Sequence, residues 1–413
     1  MRKDDEPARA TAEAVARQSY GKLVAFLAAR TRDVAAAEDA LADAFASALA
    51  HWPRSGVPET PEAWLLTAAR RKLADAYRRR RTASNAEGHV RLIAEELNAV
   101  RDETPIADER LRLMFACAHP AIDAAMRAPL ILQTILGLDA ETIGSAFLVS
   151  PSAMGQRLVR AKSRIKEAGI PFRMPDSPDL PERLDAVLEA IYAAFAEGWT
   201  DPAGTEARRR DLAEEAIWLG RLVASLLPDE PEAKGLLALM LYAEARRRAR
   251  RTADGDYVPL AEQDPASWNA DLIEEAETLL SRASRAGASG RYQLEAAVQS
   301  AHVVRRVTGR ADWEAIAALY GALQVMTGSP VVAINRAVAL AESEGTEAGL
   351  ALLDDAAADA RLADYQPYWA ARADLLARLG DAKAADKAYE RAIGLESDPA
   401  VRRFLQQRRD ALR

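Results

Sequence analysis

The chain has 413 residues, 49% hydrophobic and 28% charged, with a formal net charge of −7 and one cysteine. That length supports two or three cores, the single cysteine excludes an internal disulfide, and the negative balance excludes a protein that coats nucleic acid over its whole surface. No apolar run reaches the length of a membrane span and the opening MRKDDEPARA lacks a signal-peptide core, so a cytoplasmic location is expected.

Alanine, leucine, arginine and glutamate dominate and alternating β-branched runs are missing, so the expected fold is all-α. The first helical block covers residues 10–81. Within it, DVAAAEDALADAF places Ala37, Ala40, Leu41, Ala44, Phe45, Ala48 and Leu49 on one core face. Asp39 and Asp43 project opposite, with Glu38 at the margin. Like charges four apart cost a helix about 0.2–0.5 kcal/mol, and no basic residue of the same stretch offsets them, so this face suits a basic partner or plain solvation. The next helix, PEAWLLTAARRKLADAYRRRR over 61–81, brings Arg70, Arg71, Arg78 and Arg81 into an arc of about 100°, a stripe that neutralises phosphates. Trp64 and Tyr77 share it; aromatics beside arginines suit unstacked bases, and both also suit a core.

Residues 82–108 carry Glu87, Glu95, Glu96, Asp102, Glu103 and Asp108 against Arg91 and Arg101, a linker composition. A second helical domain is expected over 109–168. Its segment 138–166, LDAETIGSAFLVSPSAMGQRLVRAKSRIK, reads as a helix-turn-helix. Ser150 caps the second helix and Pro151 fits its first position, where no N–H is needed. Met154, Leu158, Ala161 and Ile165 form a buried stripe, while Ser152, Gln156, Arg160 and Ser163 face away, flanked by Arg157, Arg164 and Lys162. Hydrogen-bonding groups ringed by cations are what a major-groove reader needs.

Residues 169–181, GIPFRMPDSPDLP, stop any helix and mark a boundary. The stretch 182–288 is a helical extension without a clear period. Over 289–413, Gly309, Gly345 and Gly380 recur about every 35 residues, with Pro330, Pro367 and Pro399 between helix pairs. The best unit, 367–399, resembles a tetratricopeptide repeat through Trp369, Gly380, Ala385, Tyr389 and Ala392, although Arg372 and Ala373 replace the usual leucine and glycine. Cys117 and His119 are close, but His51, His89 and His302 are scattered, so no metal site is expected. With no Ser-His-Asp grouping and no phosphate-cradling loop, no cofactor and no enzymatic activity are expected either.

Taken in order, DxxxAEDALADAF, PEAWLLTAARRKLADAYRRRR, a short linker and a helix-turn-helix ending QRLVRAK resemble an extracytoplasmic-function RNA polymerase sigma factor of the sigma-70 family, over about residues 15–168. The resemblance implies that 10–81 is the region 2 domain. Glu38, Asp39 and Asp43 would then bind the β′ clamp helices of core RNA polymerase, and Trp64, Arg70, Arg71, Lys72, Arg78 and Arg81 would meet minus 10 DNA. It makes 82–108 a linker through the RNA channel and 109–168 the region 4 domain. There Ser152, Gln156, Arg157 and Arg160 would read minus 35 DNA, with the polymerase β flap as a further contact. Arg71 stands where many members have asparagine, and Leu148 where the turn usually has glycine. The remainder resembles the subgroup whose C-terminal extension ends in tetratricopeptide-like repeats and regulates activity. Those repeats would hold a peptide or protein partner, or the chain's own sigma domains. Two rivals stay open on sequence alone: a helix-turn-helix regulator that binds an operator without polymerase and senses a ligand or partner through its repeats, and a repeat scaffold.

Overall fold

A computed structural model of the chain describes residues 5–81, 108–147, 149–176, 178–199, 207–287 and 289–412. The fold is all-α. Among the described residues there is no strand, only an isolated bridge between Arg251 and Tyr257. Two compact units divide the chain: one runs to Trp199 and takes in Arg208–Ala216, the other runs from Ile217 to Arg413.

The first unit opens with α1 (Asp5–Thr31), α2 (Val34–Ser55) and α3 (Pro61–Arg81). The α1–α2 corner is short. Arg32 takes a left-handed φ of 53°, and the Asp33 carboxylate accepts the Ala36 N–H at 3.1 Å to cap α2. Leu23, Leu27, Leu41, Trp52, Leu65 and Leu73 fill the core between the three helices, each at most 2% exposed. In a close-packed interior, such residues fix how the helices lie against one another.

Next come α4 (Arg110–Cys117), α5 (Ala124–Leu136), α6 (Ala140–Ala146) and α7 (Pro151–Glu167). The expected start of α7 is present: the Ser150 hydroxyl accepts from the Ala153 N–H and Pro151 takes the first turn. Its buried residues are Met154, Leu158, Ala161 and Ile165, the stripe read from spacing. At Gly144 in α6 a Cβ would lie 2.6 Å from the Val149 carbonyl oxygen, so only glycine lets the chain cross so close to α6. Leu148 and the linker 82–107 lie outside the described residues.

These helices pack on α1. At Gly21 a Cβ would stand 2.1 Å from the Ile135 carbonyl oxygen, so backbone meets backbone where α1 crosses the end of α5. The neighbouring Tyr20 ring lies over Gly137, which closes α5 at a left-handed φ of 72°. The Pro-rich stretch interrupts the helices without ending the packing. Ile170 is 3% exposed, and after the stretch α8 (Leu180–Trp199) lies against α4 and α5, where the Arg183 guanidinium donates to the Phe115 carbonyl.

The second unit takes the later part of α9 (Ala207–Leu226), then α10 (Pro231–Ala245), α11 (Ala270–Ser284), α12 (Arg291–Val303) and the short α13 (Arg305–Thr308). It continues through α14 (Trp313–Thr327), α15 (Pro330–Ser343), α16 (Thr346–Ala356), α17 (Gln366–Arg378), α18 (Ala382–Leu395) and α19 (Pro399–Asp410). Sequence neighbours are spatial neighbours, the mark of a stacked helical array. Small residues set the crossings: a Cβ on Gly349 would lie 2.6 Å from the Ala337 carbonyl oxygen, so α16 seats on α15 through bare backbone. In α17 and α18, Ala373, Ala385, Tyr389 and Ala392 are buried and Gly380 turns the chain at a φ of 80°.

Candidate nucleic-acid and protein-docking surfaces

The acidic helix α2 does not present its three carboxylates alike. Asp39 and Asp43 are exposed, and Asp43 pairs across to Lys72 of α3 at 3.4 Å with both side chains half in water. An ion pair of that kind contributes about 0–1 kcal/mol and opens readily. Glu38 is different. Its Oε2 lies 2.5 Å from Nζ of Lys162 in α7, and the two side chains are 12% and 11% exposed. Its other oxygen, Oε1, is buried without a hydrogen-bond partner. Burial pushes the Glu38 carboxyl above the usual carboxylate range, with the Lys162 ammonium pulling the other way.

A second bridge lies beside it. Lys166 reaches Asp33 at 2.7 Å, so one carboxylate caps α2 through one oxygen and holds α7 through the other. Neither bridge is visible in the sequence, where the partners stand 124 and 133 positions apart. Two of the five basic residues of α7 thus face protein.

Along α3, Arg71 and Lys72 are exposed and Arg70 is half-buried. The side chains of Tyr77, Arg78 and Arg81 lie outside the described residues. Trp64 is half-buried and meets buried Trp52 edge-on, with ring centroids 5.6 Å apart and planes at 67°. One edge of its indole is thereby fixed by the core of the helical triplet.

The outer face of α7 carries Ser152, Gln156, Arg157 and Arg160, all exposed. Sequence reasoning passed over Val159, which is 60% exposed on the same face. A signal was there: turning 100° per residue, position 159 falls between Ser152 and Gln156 on one side and Lys162 on the other, opposite the buried stripe. An exposed valine among polar groups can meet the methyl group of thymine. Elsewhere, Cys117 is buried 3.5 Å from the Thr134 hydroxyl, and burial pushes its thiol up to about 12, which keeps it an inert packing residue.

Residues 15–83 match the family model for sigma-70 region 2. The N-terminal part of the chain is thus a sigma-70 region 2 domain, which supports a sigma-70 family factor. Core RNA polymerase and promoter DNA are the partners that a sigma-70 region 2 domain implies, and the domain is a binding module without catalytic chemistry. Residues 183–284 match a second model, described as a family of unknown function (DUF6596). An uncharacterized protein of Rhizobium meliloti (strain 1021) is 39% identical over 400 residues, covering 96% of this chain and 93% of that one, so the two share one family from end to end. No solved structure matches the chain. No helix among the described residues is long and apolar enough to cross a membrane.

Proposed function

We propose that the chain is a promoter-specificity factor of the extracytoplasmic-function kind, in which region 2 loads onto core polymerase and α7 reads the minus 35 element as the second helix of a helix-turn-helix. The observation that carries this reading is the pairing of a sigma-70 region 2 domain with a second basic helix whose exposed face combines Gln156, Val159, Arg157 and Arg160. In the same reading, Arg70, Arg71, Lys72, Arg78 and Arg81 serve the minus 10 DNA, and Trp64 buttresses that helix. Asp39 and Asp43 are the open part of the polymerase-docking face; Glu38 joins them only when Lys162 lets go. Residues 10–81 and 109–168 are then the region 2 and region 4 domains, and the chain beyond them is a regulatory extension.

Geometry adds a step. Minus 10 and minus 35 elements lie about 25 base pairs apart, roughly 85 Å along B-form DNA. The 2.5 Å bridge from α2 to α7 holds the two readers side by side, far short of that span. In this reading promoter engagement requires the Glu38–Lys162 and Lys166–Asp33 bridges to part, and the bridged arrangement is the closed, unloaded form.

Purified chain mixed with core polymerase and a library of promoter fragments tests the reading. Co-elution and a promoter-dependent transcript are expected; their absence in both assays would leave the operator-binding alternative standing. Asp39→Arg with Asp43→Arg should abolish core binding while leaving the melting transition in place, since both side chains are exposed. Native gels with core polymerase check it, and unchanged affinity removes this face from the docking surface. At the other end, Arg160→Ala should cost about 1–3 kcal/mol of discrimination at one minus 35 base pair. A uniform loss across all sequences would instead make Arg160 a phosphate contact.

A further inference from the structure

The second unit carries a half-open cavity that the polymerase-binding reading does not use. After α10 the chain makes an irregular excursion over residues 246–269, and this excursion is tied to α19 near the end of the chain. Arg251 pairs with Asp398, Asp256 with Arg403 at 3.0 Å, and Glu262 with Arg408 at 3.2 Å, while the Tyr257 and Phe404 rings meet edge-on at 5.5 Å. The last helix is thereby drawn to the start of the array, and a cavity of about 650 Å³ lies between them, of a size usual for a small organic ligand.

Its walls are aromatic. Trp268, Trp313, Tyr320, Tyr389 and Phe404 all line it, with His302 edge-on to Trp313 at 5.5 Å. It also holds hydrogen-bonding groups. The Trp268 indole is 3% exposed and its Nε1 is buried without a partner, and the exposed Asn335 amide and the His302 ring also face the cavity. Its lining holds three arginines and three carboxylates, but Arg378, outside the lining, takes two of those carboxylates. The three carboxylates on the wall, Glu262, Glu342 and Asp374, each have an arginine: Arg408 for the first and Arg378 for the other two, at 2.5 and 3.9 Å. Arg305, whose guanidinium donates to the Leu260 and Gln263 carbonyls, and Arg310, which is exposed at the rim, have no carboxylate partner among the described residues. Behind the wall, Arg246 lies 6.0 Å from the Trp268 ring and donates to Gln299 and the Tyr242 carbonyl, again with no carboxylate. Its burial pulls the guanidinium down to about 10, and burial together with Arg246 and Arg305 brings His302 to about 4, so the imidazole is neutral at physiological pH.

Half-buried Arg305 and exposed Arg310 both stand at the aromatic wall with no carboxylate partner among the described residues, so an anion placed there gains charge-assisted contacts. We propose that this cavity is an effector site for a planar aromatic carboxylate, its ring held among Trp268, Trp313 and Tyr320 and its anionic group directed to Arg305 and Arg310. A compact molecule fits better than an extended peptide, because three ion pairs tie the excursion at 246–269 to α19 beside the cavity. The site is independent of how the N-terminal helices meet polymerase.

Anilinonaphthalene sulfonate, an aromatic anion, is the probe, used with the full chain. We expect one site per chain, fluorescence transfer from tryptophan, and displacement by salicylate but not by benzamide. Phenylnaphthylamine, which has the same rings without the sulfonate, should bind at least about tenfold more weakly, the worth of one charge-assisted contact. Arg310→Glu should weaken the anion by about tenfold or more and Arg310→Lys by less than about threefold, with unfolding midpoints unmoved because the residue is exposed. Val338→Trp, which fills the cavity, should remove the signal. Equal affinity for the uncharged probe, binding indifferent to Arg310→Glu or Val338→Trp, or no binding at all would each overturn the proposal.

Discussion

Lys162→Met destabilises the first unit by about 3–5 kcal/mol, the cost of stranding one member of a buried ion pair. The substitution keeps the apolar stem and removes the ammonium. Glu38 is then left 12% exposed with one oxygen already lacking a partner and the other newly without one. Chemical denaturation followed in the first unit measures the loss. Adding Glu38→Gln should recover most of it, because an amide at that position carries no charge to desolvate; the double-mutant cycle isolates the coupling. The pH dependence follows from the raised Glu38 carboxyl. Without Lys162 that carboxyl moves further up, since the ammonium is what opposes burial. The deficit is therefore full above the carboxyl's folded-state value and shrinks as pH falls through it, when the folded chain takes up a proton that the unfolded chain does not yet hold. A loss below about 1 kcal/mol, flat with pH, would mean that the bridge behaves as a solvent-exposed pair.

What the sequence revealed depended on how local the cause was. The start of α7, its buried stripe and its outward polar face follow from Ser150, Pro151 and a 3.6-residue period, all within one helix. The acidic character of Asp39 and Asp43 was legible for the same reason. Lys72 and Lys162 as partners of Asp43 and Glu38 were not, because ion pairs between helices leave no trace in spacing. Glu38, read at the margin of the Asp39/Asp43 face, is the residue that a neighbouring helix covers. Val159 was passed over because only polar and charged residues were weighed on that face, although its position opposite the buried stripe follows from the helical period. The Pro-rich segment shows the converse limit. Prolines at 171, 175, 178 and 181 dictate that no helix continues, and they say nothing of whether Ile170 and α8 pack back on the preceding helices, which they do. The excursion at 246–269, with Arg251, Asp256 and Glu262 reaching residues about 145 positions later, is again tertiary information that no short motif holds.

Gly21→Ala should uncouple the two halves of the first unit without unfolding either. Its new methyl would sit 2.1 Å from the Ile135 carbonyl oxygen, where real contacts stay beyond 3.0 Å, and the obstacle is backbone at the end of a helix, which no rotamer change relieves. Either α1 and α5 move apart or the variant accepts overpacking at about 1–3 kcal/mol, with separation the easier course because the seam is a surface between two helical groups. Alanine favours the α1 helix itself by about 1 kcal/mol over glycine, so the helix survives. Hydrogen exchange should accelerate at the end of α5 and in α7 while the α2–α3 amides stay protected. Transcription with core polymerase separates the possible meanings of the seam. If the closed form is the unloaded state, Gly21→Ala retains promoter-directed transcription, because loading parts the same surfaces anyway. A folded variant with polymerase affinity intact and no transcript would show instead that the α1–α5 contact belongs to the working complex, and the closed-to-open step would have to be abandoned.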